Sequence, residues 1–373
     1  MSEYQYYEFR TINRQLTAAE RTAVNKLSSH GHTTATSFSV DYSYGDFKHN
    51  PNDVLARYFD LFFYMANWGT VTLKFRYPKG LLDLRRLEPY CLDGTMGIDH
   101  QTVGDSVIVG FNWNPEDSTD WVEADGLVDG VVGLYHEIMG GDYRAFYLAW
   151  LRAIQSGADY SDEFDEETLE PPVPPGLTTL SPALTDFIAL FDIDKELVAA
   201  AAKGSATTAT TPAIDVATAL ATLSKEECIA FLEGFLQGEA HLDLKLKQRI
   251  GLLQPTSEEY NPSGTRTVGE LLAVRDEMVQ LRRKAAAAAK ETKRRAELAA
   301  LSSRGDRAWQ EVETFIEQKT TDGYKHAVTL LQQLGELARE QGQGSIFAGR
   351  VEQLRNRYSR RSAFIRELQR VQV

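Results

Sequence analysis

The chain has 373 residues, of which 43% are apolar and 25% are charged, and its formal net charge is −13. This composition is typical of a globular protein long enough for two or three domains, and it excludes an intrinsically disordered chain. No run of about 18 uncharged apolar residues occurs, so we expect no membrane-spanning helix, and the N-terminus lacks the basic and apolar regions of a signal peptide.

The charge is unevenly distributed along the chain. Residues 1–170 carry a net charge of −14, residues 171–260 a net charge of −6 and residues 261–373 a net charge of +7. An acidic body followed by a basic tail has two interpretations. Either the tail docks on its own acidic body, or it binds an acidic partner such as nucleic acid.

The two cysteines, Cys91 and Cys228, lie in different halves of the chain. Their separation does not fit a zinc site or a redox pair. We therefore predict two reduced thiols and a cytoplasmic location.

Aromatic residues concentrate in the first 160 positions, which hold 26 of the 38. The densest core should therefore lie there. Alternation of apolar and polar residues predicts strands in QYYEFRTI, TSFSVDYSYG and TVTLKFRYP. The run SVIVGFNW is apolar on both faces, which predicts a central strand paired with a neighbour.

Helices are predicted between these strands, over Thr17–Ser28 and Pro51–Ala66. Thr17 and Asn50 are plausible N-caps, and Pro51 suits a first helical turn. The fold class is therefore α+β, with helices packed on one face of a mixed sheet of four or five strands.

The remaining chain is predicted to be helical. Residues 1–157 form the α+β domain, and residues 158–180, which are acidic and then proline-rich, form an extended linker. Residues 181–255 form a small helical domain, and residues 262–373 form a basic region with one long helix followed by helical hairpins.

The long helix is predicted from Thr267 to Leu301. Its apolar stripe consists of Leu271, Val274, Met278, Leu281, Ala285 and Ala288. Such a stripe is typical of a coiled coil, and its partner is either another helix of the same chain or a second copy.

Two segments resemble known bacterial families. The tail HAVTLLQQLGELAREQGQGSIFAGRVEQLRNRYSRRSAFIRELQRV is similar to the helical tail that follows the SWIM zinc finger in many bacterial proteins. The finger's Cys and His ligands are absent, so the zinc function of that family does not carry over. The motifs YYEF, YSYGDFK and NWGT resemble a widespread uncharacterised bacterial family, and this resemblance implies no function.

No motif identifies an enzyme. His30 and His32 are spaced like a metal-chelating pair but lack a third ligand in sequence, and Asp194 is better explained as a helix cap than as a partner of Asp192 in phosphoryl transfer. Phosphate-loop, dinucleotide and nucleophile-elbow motifs do not occur. We therefore predict no catalytic residue, no cofactor and no metal.

Two groups of residues are candidates for recognition. Tyr44, Asp46, Phe47 and Lys48 combine aromatic, acidic and basic side chains in a loop after a strand, although a simple turn explains them too. The second group consists of basic residues on predicted helices: Arg294, Arg295, Arg357, Arg360 and Arg361. These arginines suit phosphates or an acidic protein surface, and the alternative is a solvated basic face.

The sequence therefore predicts a non-catalytic interaction or scaffold protein that assembles with a protein partner or with itself through the long helix. The first alternative is a nucleic-acid-associated protein that uses the basic helices without reading sequence. The second alternative is a hydrolase whose site, in the N-terminal domain, has no recognisable motif.

Overall fold

The computed structural model describes residues 3–92, 97–114, 126–160, 165–206, 215–237, 239, 242–251 and 264–370. The chain forms two compact units, Met1–Met278 (unit 1) and Val279–Val373 (unit 2). Unit 1 contains a sheet with the strands β1 (Gln5–Arg10), β2 (His32–Thr33), β3 (Ser37–Tyr42), β4 (Leu61–Ala66), β5 (Val71–Pro78), β6 (Gly97–Val103) and β7 (Ser106–Trp113).

The helices of unit 1 are α1 (Ala18–Val24), α2 (Pro51–Tyr58), α3 (Leu84–Leu87), α4 (Leu127–Val131), α5 (Leu134–Met139), α6 (Arg144–Tyr160), α7 (Pro182–Leu190), α8 (Lys195–Ala202), α9 (Val216–Leu220), α10 (Lys225–Leu236) and α11 (Leu242–Arg249). Helix α12 (Val268–Arg304) begins in unit 1 and ends in unit 2. Unit 2 continues with α13 (Asp306–Glu317), α14 (Thr321–Glu340), α15 (Gly344–Arg357) and α16 (Ser362–Arg370). Of the helices that the structure describes, none combines the length and apolar content needed to cross a membrane.

The strand order is β2-β3-β1-β4-β5-β7-β6, and each pairing between described strands is antiparallel. The predicted α+β class is therefore confirmed, but the sheet is antiparallel rather than mixed and has seven strands rather than four or five. Three of the seven strands lie outside the predicted runs: β2, which is only two residues long, β4, and β6, which is the neighbour expected beside β7.

Strand β4 corrects the prediction of one helix over Pro51–Ala66. The helix ends at Tyr58, and Leu61–Ala66 pairs on both sides, with β1 and with β5. A strand in the middle of a sheet that is covered on both faces is apolar at nearly every position. Such a run does not alternate, so its periodicity cannot be told from that of a buried helix.

Both faces of the sheet are covered, not one. On the first face, Phe63, Phe75 and Phe111 pack in one core with residues of α4 to α8. On the second face, Phe9, Phe38 and Phe62 pack in a separate core with α1 and α2. Phe62 and Phe63 are neighbours on β4 and point into different cores, so that strand is apolar at successive positions.

The proline-rich part of the predicted linker is packed within unit 1. Pro171 and Pro174 are buried, Leu177 is 2% exposed, and the Tyr90 hydroxyl donates to the Pro172 carbonyl at 2.7 Å. The segment is extended, as its prolines require, but it lies against protein rather than in solvent. The residues 161–164 of the predicted linker lie outside the described residues.

A buried ion pair fixes this segment to the start of α12. Glu170 is 2% exposed, and its carboxylate accepts from Arg266 Nη2 at 2.9 Å and from the Tyr147 hydroxyl at 2.9 Å. Arg266 Nη1 donates to the Ala200 carbonyl at 3.1 Å. Burial, and then the Glu170 carboxylate, raises the pKa of Tyr147, so its hydroxyl remains a donor. A bridge between Leu169 and Thr267 continues the contact along the backbone.

The apolar stripe of α12 is buried at its start only. Leu271 is fully buried, and Val274 and Met278 are partly buried against the core of unit 1. Leu281 is 56% exposed, and each residue from 281 to 290 is exposed. In the described part of the chain, no helix therefore covers the stripe at Leu281, Ala285 and Ala288. Alanine, arginine and lysine have high helix propensity, which explains how this stretch stays helical without packing.

Unit 2 has its own apolar core. Leu301 of α12 packs with Val312, Leu331, Leu354 and Phe364, which come from the four following helices. Unit 2 therefore contains the predicted long helix and helical hairpins.

We expect Glu170→Ala to lower the free energy of unfolding by about 3–5 kcal/mol, because Arg266 is then left largely buried without its counter-charge. Urea denaturation followed by circular dichroism measures this loss. The control is Glu167→Ala, three residues away and exposed, which should change stability by less than about 0.5 kcal/mol. Equal effects of the two substitutions would contradict a structural role for the ion pair.

Candidate interaction surfaces

The predicted recognition loop is divided between core and surface. Phe47 is 8% exposed and packs against Tyr7, with ring centroids 5.5 Å apart, and against Phe9 at 5.8 Å. Tyr44 is 78% exposed, and Lys48 is exposed as well. Phe47 is therefore a core residue, and only the rest of the loop is available to a partner.

A buried glutamine holds this loop in place. Gln5 Nε2 donates to Asp46 Oδ1 at 2.9 Å and to the Gly45 carbonyl at 3.2 Å. Its Oε1 accepts from the hydroxyls of Tyr7 at 2.7 Å and Tyr64 at 3.0 Å. Gly45 has φ +96°, a conformation that favours glycine. The Asp46 carboxylate is therefore occupied by a contact within the protein. The simpler interpretation of the sequence, a turn after a core strand, accounts for Asp46 and Phe47.

Four of the five candidate arginines pair with glutamates inside unit 2. Arg294 lies 2.5 Å from Glu336, Arg295 lies 3.0 Å from Glu291, Arg357 lies 2.9 Å from Glu313, and Arg361 lies 2.6 Å from Glu317. The fifth, Arg360, is exposed and has no ion pair with the described residues.

Arg361 is the most firmly held of these arginines. It also donates to the Ile316 carbonyl, and its guanidinium lies 4.9 Å from the centre of the Tyr358 ring. The hydrogen bond from Arg361 lowers the pKa of Glu317. In the described structure four of the five arginines therefore form ion pairs within unit 2. Exposed ion pairs are weak, at about 0–1 kcal/mol, so a polyanion could still compete for them.

Several basic side chains without an ion pair lie in the exposed middle of α12. Arg283, Lys284, Lys290 and Lys293 are exposed and form no ion pair with the part of the chain that the structure describes. Arg283 and Lys290 are seven residues apart and therefore point from the same side of the helix.

A group of exposed apolar side chains on two helices was not predicted. Six of the eleven large apolar side chains that are exposed in the described residues lie on α9 and α10, and we call them the α9–α10 face: Val216, Leu220, Ile229, Leu232, Phe235 and Leu236. Leu232, Phe235 and Leu236 are 64%, 74% and 83% exposed. Ile229, Leu232 and Leu236 follow the spacing of three and four that places side chains on one side of a helix.

Glutamates border this face. Glu226 and Glu233 are exposed, are seven residues apart and lie three positions before Ile229 and Leu236. At the helical angle of 100° per residue they follow one edge of the apolar stripe. The face is therefore apolar with an acidic edge.

The opposite side of α10 packs against α11. Arg249 lies 2.6 Å from Glu227, and Lys245 lies 2.5 Å from Glu239. A Cβ on Gly234 would lie 2.7 Å from Glu239 Oε2, so the glycine permits the close approach. A capping box of Ser224 and Glu227 begins α10. The α9–α10 face is therefore not the side on which α10 contacts its own hairpin.

The buried carboxylates of unit 1 are each paired with an arginine. The three acidic residues that are buried in the described chain, Glu8, Asp60 and Glu170, pair with Arg10, Arg76 and Arg266. Each of these carboxylates is occupied by its arginine, which suits a structural role better than general acid or base chemistry.

In the described residues, the motifs that resemble metal or phosphoryl-transfer sites in sequence do not form such a site. His30 and His32 are exposed, and Asp194 caps α8 by accepting from the Glu196 amide at 2.8 Å. Within the described ranges, no group of three His, Cys, Asp or Glu side chains is placed to hold a metal.

The two cysteines are free. Burial, and then the carboxylates of Asp99 and Glu88, raises the pKa of the Cys91 thiol to about 12. Cys228 lies half-buried in the first turn of α10. Cys91 is therefore a protonated thiol at neutral pH.

Comparison with known proteins finds no matching family model, no matching curated protein and no matching solved structure. The resemblance of the tail to proteins with a SWIM zinc finger, and that of the N-terminal motifs to a bacterial family, therefore remain predictions from the sequence.

We expect Phe47→Ala to lower the free energy of unfolding by about 3–5 kcal/mol, because it removes a ring from an aromatic core. Tyr44→Ala, three residues away, should change it by less than about 0.5 kcal/mol. Thermal and urea melts of both variants test this division of the loop. If Phe47→Ala changed the free energy of unfolding only slightly, Phe47 would again be a candidate for the recognition surface.

Proposed function

We propose that this chain is a non-catalytic interaction protein that assembles with a protein partner through the α9–α10 face. The observation that carries the proposal is the concentration of exposed apolar side chains on two short helices. Large exposed apolar patches are uncommon on monomeric proteins and mark interaction sites. Helix faces with apolar residues at this spacing are a common recognition element.

The acidic edge adds specificity to this surface. Glu226 and Glu233 favour a partner that places basic side chains beside its apolar contacts, since charge complementarity across an interface selects among apolar partners. Two free cysteines favour a reducing compartment such as the cytoplasm as the place of assembly.

We expect the double variant Leu232→Glu with Leu236→Glu to weaken binding of the partner at least about 100-fold. Each leucine contributes about 1.5–3 kcal/mol when it is buried, and the partner can no longer bury either one. Because both side chains are already exposed, the variant should melt at the temperature of the parent. The measurement is a titration of the full chain with the partner, purified after capture and identification.

The control is Tyr44→Glu, which introduces one carboxylate rather than two, at an aromatic residue of similar exposure outside the α9–α10 face. It should bind the partner as the parent does. Equal affinity of the double variant and the parent would exclude this face as the binding surface. A parent chain that captures no stoichiometric partner and stays monomeric would contradict assembly itself.

The nucleic-acid alternative is supported by the unpaired basic residues of α12 rather than by the tail arginines. Duplex DNA binding would make the logarithm of affinity fall with the logarithm of salt concentration, by about 0.9 per phosphate neutralised. Replacing Arg283, Lys284 and Lys290 by glutamate should then abolish binding.

We expect the charge reversal of Arg357, Arg360 and Arg361 to lower the melting temperature, because Glu313 and Glu317 would then face like charges. The reversal of Arg283, Lys284 and Lys290 should leave the melting temperature unchanged, since those side chains are exposed and unpaired in the described structure. Thermal melts of both variants provide the comparison. Submicromolar DNA binding at physiological salt, lost in the α12 variant, would favour the nucleic-acid alternative over a protein partner.

A further inference from the structure

Unit 2 contains an open cleft that none of the surfaces described above uses. Its volume is about 250 Å³, and its walls come from the end of α12, the start of α13, the end of α14 and the start of α15. This volume is just below the range of about 300–1,000 Å³ that is usual for small-molecule pockets. The cleft therefore suits a compact ligand.

Two aromatic rings form the apolar side of the cleft. The centroids of Trp309 and Phe347 are 5.8 Å apart, and both rings pack on the core of unit 2 beside Leu334. A Cβ on Gly335 would lie 2.9 Å from Phe347 Cζ, so the glycine permits the ring to lie close against α14. Ile346, 62% exposed, extends this surface to the mouth. An apolar ligand body placed here would remove this surface from water.

Arg350 supplies a positive charge at the same cleft. Its guanidinium carbon lies 4.4 Å from the centre of the Trp309 ring, and its Nη1 lies 2.9 Å from Asp306 Oδ1. Stacking on the indole holds the planar guanidinium in position. The two side chains of the ion pair are 40% and 81% exposed, so water screens their attraction. Asp306 is therefore a carboxylate that another carboxylate can displace.

We propose that this cleft binds a small amphiphilic carboxylate, whose apolar body lies against Trp309 and Phe347 and whose carboxylate replaces Asp306 on Arg350. The cleft has an apolar side and a polar side, and the polar side also contains Ser302, Gln341 and Gln343. An acid with an apolar body can use both sides at once. A guanidinium matches the geometry of a carboxylate better than other basic groups do. This site is separate from the α9–α10 face and does not depend on the function proposed for that face.

The test uses octanoate as the probe and isothermal titration of the full chain. Octanoate should bind at least tenfold more tightly than 1-octanol, which has the same chain length without the carboxylate. Arg350→Gln should weaken octanoate binding at least tenfold and leave 1-octanol binding unchanged. Asp306→Asn should instead tighten octanoate binding, because it removes the competing carboxylate and its repulsion.

The control is Arg355→Gln on the same helix, where Arg355 pairs with Glu352 at 3.5 Å and does not line the cleft. It should bind octanoate as the parent does. Because Asp306 is 81% exposed and Arg350 is 40% exposed, with an ion pair that water screens, their variants should melt close to the temperature of the parent, which separates loss of the site from loss of the fold.

Three results would overturn the proposal. Equal affinity for octanoate and 1-octanol would indicate a cleft for an uncharged apolar group, such as a side chain of a partner. Weaker binding by Asp306→Asn would show that Asp306 is a ligand contact rather than a competitor. Absence of octanoate binding by the parent would exclude the site.

Discussion

The burial of Glu170 is the constraint on which the arrangement of unit 1 depends. A carboxylate at 2% exposure requires compensation of its charge and its hydrogen bonds. Arg266 and Tyr147 provide both, and they come from the segment before α12 and from α6. Satisfying one buried charge therefore brings together three parts of the chain that are far apart in sequence. The extended proline segment, the Leu169 bridge and the start of α12 all follow from that contact.

Sequence patterns were most informative where local physical chemistry decides the structure. The alternation of β3 and β5, the capping box at Ser224 and the cap at Asp194 are all present. The patterns failed where distant residues decide. Leu61–Ala66 is a strand because β1 and β5 pair with it on either side. The acidic and proline-rich stretch alone predicts a solvated segment. Its Glu170 is instead buried, because it pairs with Arg266, which lies 96 residues later in the chain.

For the candidate sites, too, local composition could be predicted from the sequence, whereas contacts between distant residues could not. Net charge correctly located an arginine-rich region, but it could not show that Arg357 and Arg361 would be matched by Glu313 and Glu317 on a neighbouring helix. The loop around Tyr44 was a candidate for recognition because of its composition. In the structure Phe47 belongs to the core and Tyr44 to the surface. The α9–α10 face was missed because an amphipathic helix looks the same in sequence whether its apolar side is covered or not. Only the placement of α11 on the other side of α10 distinguishes the two cases.

The difference between the two thiols has a practical use. Cys91 is held protonated by its surroundings, whereas Cys228 stands four residues before Leu232, one helical turn away along α10. A thiol-reactive dye added at neutral pH should therefore attach mainly at Cys228, without any engineered cysteine. The natural chain thus carries its own labelling position beside the apolar stripe. An environment-sensitive fluorophore there would report, as a change in emission, the moment at which that stripe leaves water.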